Sequence, residues 1–285
     1  MRVRRSSAFR AAAILGVAVA VALVGAAQAI ATPSLHRYDH VVIVLHENKN
    51  YPDVASGTNA PYLQQLAAQG ALSSQSFGIT HPSQPNYVAL FSGTTQGLTG
   101  DGCPNTFKGK GNLFQQLGAA GISYGSYAED LPSTGYTGCS SSKYMRKHAP
   151  WVNFDNVDKT KQWPFSSFPS DYSTLPTVSF VIPNMCDDMH DCSISTGDTW
   201  QKKHLDAYAQ WSKTHNSMLI TSFDEDNFTS VNQIYTSFVG SNISAGKYSE
   251  QIDHYRVLRT LEDMYGLPAL GNAASRTAIT DIFTG

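Results

Sequence analysis

Apolar runs and amphipathic stretches alternate along most of this 285-residue chain. The uninterrupted apolar run over 41–45 reads as a buried strand. Residues 62–69 carry helical spacing and stop at Gly70, and 87–92 predict a short helix capped by Gly93. A helix over 113–120 ends at Gly121 and leads into a strand over 122–127. Further strands are predicted over 177–182, ended by Pro183, over 217–223 and over 234–239. Amphipathic helices over 200–214 and 254–265 lie among them, the second closed by Gly266 and Pro268. Strands alternating with helices predict an α/β fold, a mostly parallel sheet with helices on both faces. The stretch 125–171 is rich in Ser, Tyr and Trp and weakly periodic, so it reads as long loops. Ligands of such sheets gather beyond the carboxyl ends of the strands.

The N-terminus bears on the compartment. Arg2, Arg4, Arg5 and Arg10 precede an apolar stretch over 11–26, and Ala27-Gln28-Ala29 supplies a small-x-small cleavage site. This pattern predicts a secretory signal over 1–29, a single domain over 30–285 and an extracellular location. A membrane anchor fits less well, because Gly16 and Gly25 break the apolar stretch and the cleavage site follows it directly. Without the four leader arginines, 16 basic side chains face 22 acidic ones, a net charge of −6. A net acidic chain without a long basic run is unsuited to nucleic acid. Cys103, Cys139, Cys186 and Cys192 all follow the leader, and no CxxC spacing supports a zinc site. Their even number and the oxidising compartment predict two disulfides. Of the three connectivities we expect Cys103–Cys139 and Cys186–Cys192.

Two of the predicted strands run into acidic or amide residues. His46-Glu47-Asn48 follows 41–45, and Asp224-Glu225-Asp226 follows 217–223. Glu47, Asn48, Asp224 and Glu225 are hard oxygen ligands suited to a divalent ion such as Mg²⁺, Ca²⁺ or Mn²⁺. Ser83, within Thr80-His81-Pro82-Ser83-Gln84-Pro85-Asn86-Tyr87, precedes a helix whose first turn suits Pro85. Amides at that helix start would face an anion, and a metal would activate the hydroxyl for in-line attack on phosphorus. After the strand 177–182, Cys186-Asp187-Asp188-Met189-His190-Asp191 places His190 as a proton donor to a leaving oxygen, with Asp191 or Asp188 orienting its ring. Lys143, Arg146, Lys147 and His148 form a basic run able to attract an anionic substrate. Each segment alone reads as a turn, a cap or a solvated loop. Their conjunction points to a metal-assisted serine acting on phosphate esters.

Gly121-Ile122-Ser123-Tyr124-Gly125 matches the nucleophile elbow of serine carboxylesterases, and Asp224 and His254 follow in the required order. The elbow needs a strand before the serine and a helix after it. Here the order is reversed, so the match is rejected.

HENKNY (46–51), HPSQPNYVALFSG (81–93), KYMRKHAPWVNF (143–154), SFVIPNMCDDMHD (179–191), ITSFDEDN (220–227) and HYRVLRTLEDMYGLP (254–268) resemble the phosphoesterase family of secreted acid phosphatases and bacterial phospholipases C, part of the alkaline-phosphatase-like superfamily. The resemblance covers nearly the whole chain after the leader and keeps the motif order. It implies a doubly wound α/β fold, a metal on Glu47, Asn48, Asp224 and Glu225, Ser83 as nucleophile and His190 as acid/base residue. His81 is similar to a family position and joins the substrate-binding candidates. The implied substrates are phosphate monoesters, phosphoinositide head groups among them, with at most peripheral membrane contact. Phospholipase members usually carry Met-Glu-Asn where this chain has His46-Glu47-Asn48, and often a Gly-rich run where it has Asp226-Asn227. A phospholipase C-type phosphodiesterase is therefore the second reading. A non-catalytic phosphate-binding module would have lost Ser83, Glu47 or Asp224, and all three are present.

Overall fold

The computed structural model describes Met1 and residues 35–284. The predicted leader lies outside the described residues. In chain order the elements are β1 (His40–His46), α1 (Tyr51–Ala55), α2 (Pro61–Gln69), β2 (Ala71–Phe77), α3 (Ser83–Ser92), α4 (Leu113–Ala119), β3 (Tyr124–Ala128), β4 (Ser140–Ser141), β5 (Tyr144–Met145), β6 (Gln162–Pro164), β7 (Val178–Ile182), α5 (Ile194–Ser212), β8 (Ser217–Phe223), β9 (Gln233–Gly240), β10 (Gly246–Tyr248), β11 (Ile252–Asp253) and α6 (His254–Tyr265). Nine strands form one sheet in the order β10-β2-β9-β8-β1-β7-β3-β6, with β11 also beside β2. The row β8-β1-β7-β3-β6 is parallel, while β9 runs antiparallel to both β8 and β2.

The apolar run of β1 is explained by burial on both faces. Val41, Ile43 and Leu45 pack under α3, α4 and α6, against Val88, Phe91, Phe114 and Leu258. Val42 and Val44 point the other way, toward α2 and α5, and join Leu63, Leu66, Leu205 and Tyr208. Phe91 centres an aromatic cluster, with Phe114, Trp151, Phe154 and Phe180 rings at 5.0–6.1 Å. Trp151 and Phe154 belong to the stretch predicted as loops. Short 3₁₀ turns and this packing fix that stretch, and β6 extends the sheet from within it.

Several elements depart from the pattern. α3 starts at Ser83, four residues before its apolar spacing begins, and all ten of its residues are buried. α5 starts at Ile194, where the Ser193 hydroxyl accepts from Thr196 N at 3.2 Å. The serine-rich β2 escaped prediction because its polar residues pair inside the sheet, as Ser76 does with the Thr236 hydroxyl at 2.8 Å. Ser123 sits at the amino-terminal end of β3 beside the Thr177 hydroxyl, at the opposite rim from the acidic strand ends. The glycine after it has a packing reason: a Cβ on Gly125 would lie 2.2 Å from the Trp163 ring. Both expected disulfides are present, Cys103–Cys139 and Cys186–Cys192.

Truncating Phe91 to alanine is expected to lower the unfolding free energy by about 3–5 kcal/mol. Chemical denaturation checks this; a much smaller loss would mean that the surrounding aromatic rings collapse into the space.

Candidate active site

Register brings the acidic ends together. β1 and β8 pair in parallel out to His46 and Phe223, so Glu47 and Asp224 leave the sheet side by side. The backbone continues the zip beyond the strands. Asp224 N donates to His46 O at 3.0 Å, and Glu47 N donates to Asp188 O at 2.8 Å on the loop after β7. His254, the first residue of α6, holds the Asp224 carbonyl at 2.6 Å. On the other face of the sheet, buried His46 meets the Gln201 side chain at 2.6 Å, and burial draws the imidazole pKa down to about 4. His46 and His254 are therefore neutral parts of the frame.

Ser83 opens α3 and is buried, with its hydroxyl 2.7 Å from Glu47 Oε2 and 3.0 Å from Glu225 Oε1. A hydroxyl has one proton and cannot donate to both carboxylates. The second contact requires an added proton or a cation. Asp224 Oδ1 accepts from Asn48 N at 3.2 Å, and His81 Nδ1 contacts Glu225 Oε2 while its Nε2 lies 3.1 Å from the Thr229 carbonyl. Ser83, Glu47 and Glu225 thus meet directly, His81 joins through Glu225, and Asn48 N and Asp224 bind each other alongside. Asp226 faces away, binding Thr229 N at 2.8 Å and the Thr229 hydroxyl.

Two further residues enter the cluster. His148 is buried with Nε2 2.9 Å from Glu47 Oε1 and Nδ1 3.2 Å from Asp188 Oδ2, ion-pair contacts that lack hydrogen-bond alignment. Tyr87 stacks flat on the His148 ring at 4.9 Å. Glu47, His148 and Asp188 can each point a ligand atom within 4.8 Å of the others. The sequence placed His148 among exposed cations and Asp188 beside His190. Their distance along the chain from Glu47 hid the contact.

His190 lies at the edge, half-buried, its ring 6.3 Å from that of His148. Its Nδ1 meets Asp191 Oδ1 at 2.8 Å, and its Nε2 faces the Lys147 ammonium at 3.4 Å. Of the two candidate orienters, Asp191 holds the imidazole, while Asp188 accepts from His190 N at 2.7 Å and turns its other oxygen to His148. The Cys186–Cys192 bridge closes the loop that carries both Asp188 and His190. The basic run divides. Lys147 reaches inward, bound to Asp101 at 2.9 Å. Arg146 is buried and spends its guanidinium on Asn153, Thr137 O and Asn105 O, so it braces the loop and is not free to bind substrate. Lys143 is exposed.

Four buried carboxylates in one place cannot all ionise without compensation. Burial, then the Glu47 and Glu225 charges, hold Asp224 well above the usual carboxylate range. Burial pushes Glu225 up to about 7, against hydrogen bonds from His81 and Ser83, and it also raises Asp188. Burial opposes the charged forms of Glu47 and His148, but their mutual attraction wins, lowering the acid and raising the imidazole. Glu47 Oε1, Asn48 Oδ1, Asp188 Oδ2, Asp224 Oδ2 and His148 Nε2 are buried without hydrogen-bond partners. Buried polar atoms are nearly always paired. Glu47 Oε1, Asp188 Oδ2 and His148 meet only in poorly aligned ion-pair contacts, while Asn48 Oδ1 and Asp224 Oδ2 have no hydrogen-bond partner. This concentration of under-satisfied, mostly oxygen donors fits a divalent metal ion.

Adding a divalent ion to chelated protein is expected to raise the melting temperature, by the equivalent of about 2.7 kcal/mol at a hundredfold excess over Kd. The Asp224→Ala protein should show no such rise in a thermal-shift titration. The chelated protein should also lose stability as pH rises between about 6.5 and 9. In that window Glu129 and Glu225 (both about 7), Glu262 (about 8) and His148 (about 9) have folded pKa values above their ordinary ones. The folded state then holds more protons than the unfolded chain, so raising the pH favours unfolding. Denaturant midpoints across that range, with and without metal, check the sign.

A family model described as the phosphoesterase family matches residues 55–268. The chain is 49% identical over 282 residues to the phosphatidylinositol-3-phosphatase of Mycobacterium tuberculosis, covering 96% of this chain and 94% of that protein. It is 33% identical over 245 residues to an acid phosphatase of Aspergillus fumigatus, covering 79% of this chain and 54% of that protein, so it spans about half of the fungal relative. A solved alkaline phosphatase superfamily protein from Vibrio parahaemolyticus superposes with a TM-score of 0.60 at 11% identity, over 85% of this chain and 71% of the other. Murine ectonucleotide pyrophosphatase/phosphodiesterase 5 gives a TM-score of 0.58 at 11% identity, over 87% and 100%. Identities that low speak for the fold alone. The family match and the mycobacterial relative speak for the sequence, and the chain belongs to the phosphoesterase family, on an alkaline-phosphatase-like α/β fold.

Proposed function

We propose that this protein is a metal-dependent phosphatase that hydrolyses phosphate monoesters, including phosphoinositides such as phosphatidylinositol 3-phosphate, through Ser83. One observation carries the reading: a buried serine hydroxyl at a helix start lies within 3.0 Å of carboxylates from both acidic strand ends. The names of the mycobacterial and fungal relatives support the substrate class. Glu47, Asn48, Asp224 and Glu225 are the ligands proposed for the metal, with His148 and Asp188 beside them. A bound divalent ion neutralises the phosphoryl oxygens and favours the serine alkoxide.

In the proposed reaction Ser83 Oγ bonds to phosphorus as its proton passes to a facing carboxylate. The bond from phosphorus to the leaving oxygen breaks, and His190 supplies the proton that oxygen takes up. Water then cleaves the phosphoserine, with His190 accepting its proton. Lys147 and His148 add positive charge on the side where a dianionic monoester would enter, which favours monoesters over diesters. We place this chemistry in one catalytic domain over 30–285, exported behind the leader. Two disulfides support an oxidising compartment. Among the described residues no helix is long and apolar enough to cross a membrane.

Losing a general acid costs about 10²–10⁴ in rate, and less where the leaving group needs no proton. His190→Ala is therefore expected to damage turnover of an alkyl phosphate far more than that of p-nitrophenyl phosphate, whereas Ser83→Ala should abolish both. An active Ser83→Ala protein would overturn the covalent route. Faster turnover of bis-p-nitrophenyl phosphate or phosphatidylcholine would reassign the enzyme as a phosphodiesterase.

A further inference from the structure

Beyond Met1, the large hydrophobic side chains left exposed among the described residues are Phe228 and Val231, at 63% and 61%. Both stand on one short tip, over 227–231, which begins two residues after Glu225. Scattered exposed apolar residues are ordinary. Here they are paired, and the tip is built to present them. Asp226 accepts from Thr229 N at 2.8 Å and from the Thr229 hydroxyl, while Asp226 N donates to Asn232 Oδ1 at 2.9 Å. Asn232 Nδ2 reaches Thr80 O at 3.0 Å, and Asn227 N reaches Asn50 Oδ1 at 3.1 Å. The polar groups thus turn inward to brace the loop. Phe228 itself has φ +57°, a left-handed conformation that a bulky residue adopts only when its surroundings impose it.

The tip is continuous with the site. The Phe228 ring stacks on His81 at 4.9 Å, His81 contacts Glu225, and Glu225 lies 3.0 Å from Ser83. A surface that receives Phe228 and Val231 would therefore lie against the His81 side of the site.

We propose that this tip is a bilayer-docking element that seats the mouth of the site on a lipid surface, so that a membrane-embedded phosphoinositide presents its phosphate to Ser83. This rests on the phosphatase reading above. The occupant follows from the apolar chemistry of the tip and from its continuity, through His81 and Glu225, with a site proposed to take a lipid phosphate. With a net charge of −6 outside the leader, the protein is not drawn to an anionic bilayer by long-range attraction. Two apolar side chains supply weak, reversible adhesion of the kind an enzyme that must leave its membrane requires.

The test uses the full chain and three substrates: p-nitrophenyl phosphate, a soluble short-chain phosphatidylinositol 3-phosphate, and the long-chain lipid in phosphatidylcholine vesicles. Val231 is 61% exposed and its backbone N–H donates to the Thr229 hydroxyl at 3.3 Å, so Val231→Asp is expected to leave both soluble substrates unchanged. It should lower kcat/KM on vesicles by at least about tenfold, and Phe228→Ser combined with it should lower that value further. In the non-turnover Ser83→Ala background, the same changes should remove the protein from sedimented vesicles. Equal losses on the short-chain and vesicle lipids would make the tip part of a head-group pocket and overturn docking. Unchanged vesicle turnover and sedimentation would overturn it as well, as would self-association through the tip without vesicle binding. A wild-type protein inert on all three esters would defeat the phosphatase reading instead, and sedimentation would still decide the docking.

Discussion

Four buried carboxylates gather at one rim, two of them within 3.0 Å of the Ser83 hydroxyl, and the rest of the molecule is arranged to tolerate them. Two like charges 4 Å apart repel by about 4 kcal/mol at an effective dielectric constant near 20. Glu47, Asp188, Asp224 and Glu225 stand closer to water-free conditions than most surface acids do, with Glu47, Asp188 and Glu225 fully buried. Protons, the His148 imidazolium or a divalent ion must balance them. A cluster of this kind lowers the stability of the protein unless such a counter-charge is present.

Holding such a cluster requires a frame that does not relax. The parallel pairing of β1 with β8 and β7 fixes three strand ends, and backbone hydrogen bonds beyond the ladder join Glu47 to Asp188 and Asp224 to His46. His254 grips the Asp224 carbonyl from α6, and His46 ties β1 to α5 through Gln201. Beneath α3, the Phe91 aromatic cluster anchors the helix that presents Ser83. The large apolar core offsets the electrostatic cost at the rim.

The site is also polarised. Glu47, Asn48, Asp224 and Glu225 lie at the acidic strand ends, while Lys147, His148 and His190 group beside them, each with a carboxylate of its own in Asp101, Asp188 or Asp191. Arg146 takes no part in this grouping, since its planar guanidinium is committed to the Asn153 side chain and to the Thr137 and Asn105 carbonyls. The disulfide at Cys186–Cys192 closes the loop that carries both Asp188 and His190.

The sequence by itself determined the parallel core strands, most helix stops and both acidic strand ends, because hydrophobic period and strand-terminal punctuation are local signals. It also brought Glu47, Asn48, Asp224 and Glu225 to one rim, since parallel strands that share an apolar pattern deliver their carboxyl ends together, whereas Ser83 stood out only by its place at a helix start and by the family resemblance. The polar strand β2 and the reversed direction of β9 were not legible, because serines that pair inside a sheet look like loop residues. The contact of His148 and Asp188 with Glu47 was equally hidden. A basic run and an acidic loop each look solvated when read alone, and only packing against Tyr87 and the β7 loop turned one histidine inward and left Lys143 outside. The same holds for the tip beyond Asp226: the residues Phe228 and Val231 are plain in the chain, but that both face outward was decided by the inward hydrogen bonds of Asp226 and Asn232. Local pattern fixes elements and their ends; which side chains meet across the rim depends on tertiary contacts between segments that carry no signal of one another.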